Sequence, residues 1–116
     1  MGDRLVHPFD AFSADEKMAS YGRYVDGILD EEDDPWRDAF QALWQRSRIE
    51  AQWGELSEAQ QAQLRIFDDR LQERWQKVAE MLETLVWVEP DRRHWWWHLD
   101  EGPQVREEAE RLKAAS

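Results

Sequence analysis

The chain contains no cysteine among its 116 residues. Without thiols it can form neither a disulfide scaffold nor a thiolate metal site. Long apolar runs are also missing. The first twelve residues hold no run of signal-peptide length, and no window approaches the roughly 18 apolar residues of a membrane span. We therefore expect a soluble, cytoplasmic protein that has no association with a membrane.

Sequence signatures of enzymes are missing as well. There is no glycine-rich phosphate loop, no Gly-x-Ser-x-Gly motif and no cysteine to act as a nucleophile. Carboxylates, in contrast, are so numerous that some pair will always lie close together. Their presence therefore nominates no acid–base couple. The sequence predicts a non-enzymatic protein.

Basic residues are few, since 15 Lys and Arg face 26 Asp and Glu for a net charge of −11. This charge argues against direct binding of nucleic acid, whose phosphates are contacted by Lys and Arg. The acids concentrate near the N-terminus and include the run Asp30-Glu31-Glu32-Asp33-Asp34. We expect this acidic surface to meet a protein partner with a basic surface. Solubility is the simplest explanation, and mimicry of nucleic-acid phosphates to occupy a basic groove is a further alternative.

The length fits one domain over residues 1–116, with residues 1–12 as an irregular N-terminal arm. Helical periodicity predicts a mainly α-helical fold, a small bundle of three to four helices. The first helix begins after Ser13, which forms a capping box with Glu16. Its apolar face is predicted from four residues at helical spacing: Met18, Tyr21, Val25 and Ile28.

The second helix is predicted to begin with Asp34 as N-cap and Pro35 as its first residue. Gly54 is a plausible C-terminal cap. A polar last helix is predicted from Val105 to Ala115. The apolar face predicted for the second helix consists of Trp36, Phe40, Leu43 and Trp44.

The third helix opens at Ser57 and carries an apolar heptad stripe. This stripe predicts a seam inside the bundle, although Arg74 interrupts its companion row. A continuous helix from 57 to 88 would be ~48 Å long, longer than the ~35 Å diameter of such a domain. The helix must therefore stop early, or the protein forms a homodimer through helix 57–85. The stripe consists of Leu64, Leu71, Val78 and Leu85.

Residues 84–99 favour a short β-hairpin at the end of this helix. The segment 84–88 is rich in β-branched and aromatic residues, which prefer strands. Residues 90–93 would form the turn and 94–99 the returning strand. A short fourth helix that starts near Pro90 is the alternative.

Tryptophan is unusually abundant, with eight residues in the chain, and three of them are consecutive. On a strand or an α-helix, three adjacent indoles cannot all face one neighbour, so we expect at least one to be exposed. The alternatives are that a terminal helix or loop covers it, or that it forms a stacking platform for a base or a sugar. Exposed Trp is enriched in binding hot spots. The sequence thus predicts an inhibitor, immunity-type or adaptor protein with a regulatory role. Its predicted partner-binding residues are Trp87, His94, Trp95, Trp96, Trp97 and His98.

Metal binding is a weaker hypothesis. His94 and His98 are four residues apart, which would suit one ion on a helix, but no third ligand is evident. The acidic run 30–34 is a candidate calcium site because carboxylates suit this ion, although no EF-hand spacing is present. Residues 10–29 loosely resemble the N-terminal stretch of small acidic calcium-binding proteins of cyanobacteria. The resemblance rests on Asp15, Glu16, Tyr21, Tyr24 and Leu29, and the rest of the chain does not follow that family.

Overall fold

A computed structural model of the protein describes residues 8–28 and 35–115. Within these ranges the structure is mainly helical and contains no strand, so the predicted fold class is confirmed at this level. None of the helices in these ranges combines the length and apolarity needed to cross a bilayer. The α-helices are α1 (Ala14–Gly27), α2 (Pro35–Glu50), α3 (Glu58–Glu73), α4 (Trp75–Leu82) and α5 (Val105–Ala115); the 3₁₀ helices are Pro8–Ala11, Trp53–Glu55 and Trp95–Glu101.

Helix α1 forms as its sequence predicts. The Ser13 side chain accepts a hydrogen bond from the backbone of Glu16, and the Glu16 carboxylate accepts one in return from the Ser13 amide. Gly22 lets α1 approach α3, because a Cβ at this position would lie 2.6 Å from the Phe67 ring. The four residues of the predicted apolar face are all buried: Met18, Tyr21, Val25 and Ile28. Part of the predicted irregular arm is ordered too, since Pro8–Ala11 forms a 3₁₀ helix that buries Phe9.

Helix α2 begins at Pro35, as predicted, but its buried face differs from the prediction. Trp36 and Phe40 are exposed, because α1 and α4 pack against the neighbouring face of α2. The helix ends at Glu50 rather than near Gly54, which lies in the 3₁₀ helix Trp53–Glu55. The predicted N-cap, Asp34, lies outside the described residues. The buried apolar residues of α2 are Ala39, Ala42, Leu43 and Ile49.

The long third helix is interrupted at Arg74, so the prediction of one continuous helix to residue 85 is wrong. Helix α3 opens with the capping box of Ser57 and Gln60 and ends at Glu73. Arg74 has a non-helical ψ of 19°, after which α4 runs in a new direction to contact α2 and the 3₁₀ helix Trp95–Glu101. Leu64, Leu71 and Val78 are fully buried within the chain. These three residues of the stripe therefore pack within the chain, and Leu85, the fourth, is partly buried.

Residues 83–94, here called the connector, replace the predicted hairpin. No strand forms between residues 84 and 99, so the hairpin prediction is wrong. The connector is held by local hydrogen bonds, such as that from the His94 amide to the Asp91 carbonyl oxygen. β-Branched residues here do not make a sheet because no second strand lies beside them. A short helix does follow, but it begins at Trp95 rather than near Pro90.

The 3₁₀ helix Trp95–Glu101, here called the Trp helix, lies at the centre of the molecule and contacts α2, α3, α4 and α5. It ends at Gly102, whose φ of 117° suits glycine and reverses the chain into α5. Helix α5, the polar last helix that the sequence predicts, contacts the Trp helix and buries Val105 and Ala109, whereas Leu112 is exposed. The helical core thus includes three tryptophans of which at least one was predicted to be exposed.

Candidate binding surface

The three consecutive tryptophans are all buried. Trp95, Trp96 and Trp97 are 3%, 0% and 7% exposed, so the expectation that at least one indole faces solvent is wrong. A 3₁₀ helix has three residues per turn, and successive side chains point about 120° apart. Because helices surround the Trp helix on several sides, each direction leads into protein. The prediction assumed one neighbouring surface, whereas the structure supplies four α-helices.

Ser47 satisfies the polar edges of two of these indoles. Its hydroxyl oxygen accepts hydrogen bonds from Nε1 of Trp96 at 2.9 Å and from Nε1 of Trp97 at 2.8 Å. A buried indole N–H requires such an acceptor, since leaving it unpaired costs about 1–3 kcal/mol. One hydroxyl on α2 thereby fixes the orientation of two adjacent rings.

A buried ion pair lies beside the same cluster. The Arg46 guanidinium stacks over the Trp96 ring, 4.3 Å from its centroid, and donates to the Asp68 carboxylate at 2.9 Å. Tyr21 also donates to Asp68, at 2.7 Å. Burial and the Asp68 charge raise the pKa of Tyr21 well above its usual value. Although burial opposes the charged form of Arg46, Asp68 raises its pKa, so Arg46 stays charged within the core.

The exposed aromatic residues lie next to this core rather than within the tryptophan run. Trp87, on the connector, is 53% exposed, and Phe40, on α2, is 39% exposed. Both rings make edge contacts with Trp97, at centroid distances of 5.0 Å and 6.0 Å respectively. Trp36 is 45% exposed and lies one helical turn before Phe40, on the same face of α2. We call the set Trp36, Phe40 and Trp87 the outer aromatic patch.

The outer aromatic patch is adjacent in sequence to the densest charge in the chain. Five consecutive acids, residues 30–34, end two positions before Trp36. These five residues lie outside the described part of the structure. Their predicted roles in partner or calcium binding therefore stay predictions. Residues 30–34 contribute −5 of the net charge of −11.

The two histidines that were predicted to bind a partner or a metal ion both contact other residues of the fold. His98 is buried, with Nε2 at 3.3 Å from the Asp91 carbonyl oxygen and Nδ1 at 3.7 Å from the Glu101 carboxylate. His94 stacks on Trp96, with ring centroids 5.0 Å apart. Within residues 8–28 and 35–115, no three His, Asp or Glu side chains form a group able to hold a metal ion.

The residues on which the resemblance to calcium-binding proteins rests make contacts within the fold, as far as they are described. Glu16 completes the capping box of α1, and Tyr21 is bonded to Asp68 in the core. Leu29 lies outside the described residues. These positions therefore match the pattern of an amphipathic helix packed on a core.

Sequence reasoning placed the exposed surface on the wrong tryptophans. It included Trp87 among the partner-binding residues but assigned Trp36 and Phe40 to the buried face of α2. A signal was present, since Ala39 and Ala42 lie one turn apart beside Leu43 and Ile49 and define a face that helices can approach closely. The prediction instead placed the buried face of α2 on its larger aromatic residues.

Comparisons with known proteins return no match to a family model, to a curated protein or to a solved structure.

Proposed function

We propose that this chain is a small, non-enzymatic protein-binding module, of the inhibitor, immunity-type or adaptor kind, with a regulatory role. Its binding surface would be the outer aromatic patch together with the acidic run 30–34. The partner would be a protein that presents an apolar anchor surrounded by basic residues. The observation that carries the proposal is the exposure of Phe40 and Trp87, which both contact Trp97.

Large exposed aromatic side chains favour this function on energetic grounds. A buried aromatic side chain removes about 150–250 Å² of surface from water, and Trp is among the residues most enriched in interface hot spots. Trp97 supports the patch from below, since it contacts both Phe40 and Trp87 and is itself buried. A supported aromatic ring loses less conformational freedom on binding than one on a mobile side chain.

The acidic run supplies the second half of the proposed recognition. Charged residues at the rim of an interface mainly steer the encounter and select partners of opposite charge. With five acids directly before Trp36, a basic partner would be attracted to the end of α2 that carries the aromatic face. The proposal therefore assigns affinity to the outer aromatic patch and association rate to the acids.

The test is capture of partners from the native host with three immobilised forms of the protein. Wild-type protein and the control Ile66→Ala, which alters an equally exposed apolar residue on α3, should retain the same basic partner. The double variant Phe40→Ala/Trp87→Ala should lose it while its helical circular dichroism is unchanged. A partner retained equally by the folded double variant would contradict the proposal.

A fourth form separates affinity from steering. Replacing all acids of residues 30–34 with their amides should slow association with the captured partner and reduce its salt dependence, with a small effect on dissociation. No observation among the described residues favours calcium binding or nucleic-acid mimicry, and both hypotheses depend on the same acids.

A further inference from the structure

Lys17, on the first turns of α1, is a buried lysine. It is 5% exposed, and its ammonium donates a hydrogen bond to Oε1 of Gln52. The ammonium also lies 5.9 Å from the centroid of the Phe9 ring. Among residues 8–28 and 35–115, no carboxylate forms an ion pair with it. Lysine is almost never fully buried unless it is paired, and the described residues supply no counterion for this cation.

A cavity of about 260 Å³ opens beside this ammonium. Its polar lining consists of Lys17, Gln52 and the two acids Asp10 and Glu55, and its apolar lining includes Phe12, Ile49 and Leu56. The cavity is partly open to solvent and is large enough to hold a small organic molecule.

Gln52, which also lines the cavity, retains a second hydrogen-bond donor. Because its amide oxygen accepts the hydrogen bond from Lys17, its amide nitrogen is left to donate elsewhere. That nitrogen donates to no acceptor within the described residues. An ammonium and an adjacent amide N–H₂ match the two oxygens of a carboxylate.

The acids that line the cavity limit the charge of its ligand. Asp10 is bonded to Arg48, whose Nε donates to it at 3.0 Å, while Glu55 is exposed at the mouth of the cavity. A doubly charged phosphate would meet these acids with only one lysine to compensate for them. A singly charged anion, whose remaining atoms are apolar, fits the cavity better.

From this geometry we propose that the Lys17–Gln52 cavity binds a small monocarboxylate with a short apolar tail. The carboxylate would accept hydrogen bonds from the Lys17 ammonium and the Gln52 amide nitrogen, and the tail would lie against Ile49 and Leu56. This site is separate from the outer aromatic patch and does not depend on the proposed protein-binding function. The other source of a carboxylate for this cavity is the side chain of Asp3, which precedes the described residues.

The test is a titration of the whole protein, followed by NMR, with hexanoate and with the neutral amide hexanamide. Hexanoate should shift the backbone amides of Lys17 and Gln52 saturably, and hexanamide should bind at least about tenfold more weakly because it lacks the charge. Equal binding of the two probes, or no saturable shift with hexanoate, would overturn the proposal. This comparison uses wild-type protein, so it does not depend on the folding of any variant.

Variants then locate the site and its source of carboxylate. Lys17→Met should abolish hexanoate binding, whereas Arg23→Met, which removes an exposed cation from the same helix, should leave it unchanged. Loss of binding in both variants would overturn the assignment to Lys17. If hexanoate binds only after Asp3→Asn, the occupant is the chain's own carboxylate, and the proposal of a free ligand is overturned.

Discussion

The Trp helix and the outer aromatic patch contain the same kind of residue and have opposite surroundings. Trp95, Trp96 and Trp97 are consecutive and buried, while Phe40 and Trp87 are distant in sequence and exposed. Trp97 belongs to the first group and contacts both members of the second. The density of aromatic residues in the sequence therefore does not determine their exposure. Their exposure depends on how many helices surround the segment that carries them.

The two regions also differ in how their polar atoms are satisfied. In the Trp helix, Ser47 accepts from two indole nitrogens and Arg46 stacks over Trp96. The connector that carries Trp87 is held mainly by partly exposed ion pairs, such as Arg93 with Asp91. Buried interactions of the first kind contribute more to stability than exposed ion pairs of the second kind. We therefore expect substitutions in the two regions to separate stability from binding.

The largest effect is expected from truncating the central tryptophan. Trp96→Ala should lower the free energy of unfolding by about 3–5 kcal/mol, because it removes a fully buried ring and leaves a cavity. Trp87→Ala, in the outer aromatic patch, should cost no more than about 1 kcal/mol, because half of the ring is already in water. Urea unfolding of both variants measures the difference. Equal losses would mean that the two regions do not differ as described.

An intermediate effect is expected from removing the hydroxyl that orients two rings. Ser47→Ala should destabilise the fold by about 1–3 kcal/mol, since the Nε1–H groups of Trp96 and Trp97 lose their acceptor. Ser20→Ala is the matched control, because the Ser20 hydroxyl makes one buried hydrogen bond, to Gln45. Urea unfolding should rank Ser47→Ala as the more damaging variant. The reverse order would remove the special role of Ser47.

The smallest effect concerns the connector and depends on pH. Hydrogen bonds from the side chain and backbone of Arg93 hold the pKa of Asp91 below its usual range. A carboxyl with a depressed pKa in the folded state contributes stability above its unfolded pKa of about 4, and the contribution is lost as the pH falls through the folded value. Because this ion pair is partly exposed, we expect the contribution to be below about 1 kcal/mol.

Asp91→Asn isolates that contribution. The urea midpoint of the variant should fall below that of the wild type at about pH 6, and the difference should shrink as the pH is lowered toward about 2. Glu101, whose pKa is lowered by its hydrogen bonds from Arg92, has the same sign and remains in both proteins. A difference that grows with acid would contradict the assignment of a depressed pKa to Asp91.

Local signals in the sequence predicted the helices well. The capping boxes at Ser13 and Ser57 and the apolar face of α1 depend on residues three or four positions apart, and all three are confirmed. The heptad stripe correctly identified Leu64, Leu71 and Val78 as core. Such features are set by short-range hydrogen bonds and by helical periodicity, which are legible in a single chain.

Features that depend on tertiary neighbours were not predictable in the same way. No glycine or proline marks the helix break at Arg74. The one indication in the sequence was that Arg74 interrupts the second apolar row of the heptad pattern. The hairpin failed because β-branched residues in 84–88 require a partner strand. The exposure of the tryptophans was misjudged because burial in the Trp helix depends on packing by four separate α-helices.

The candidate surface was predictable only in part. Trp87 was included among the binding residues, whereas Trp36 and Phe40 were assigned to the core. The buried lysine of the Lys17–Gln52 cavity had no signal at all. A lysine on the first turns of a polar helix normally faces solvent, and its burial depends on contacts with Phe9 and Gln52.

The most direct test of the buried Trp helix and the exposed outer aromatic patch is paramagnetic attenuation of the indole Nε1–H signals. A soluble gadolinium chelate is added to ¹⁵N-labelled protein, with signals assigned by single Trp→Phe variants. We expect the signals of Trp96 and Trp97, whose Nε1–H groups donate to Ser47, to keep most of their intensity and that of Trp87 to be strongly attenuated. Attenuation of the Trp96 and Trp97 signals as strong as that of Trp87 would contradict the account.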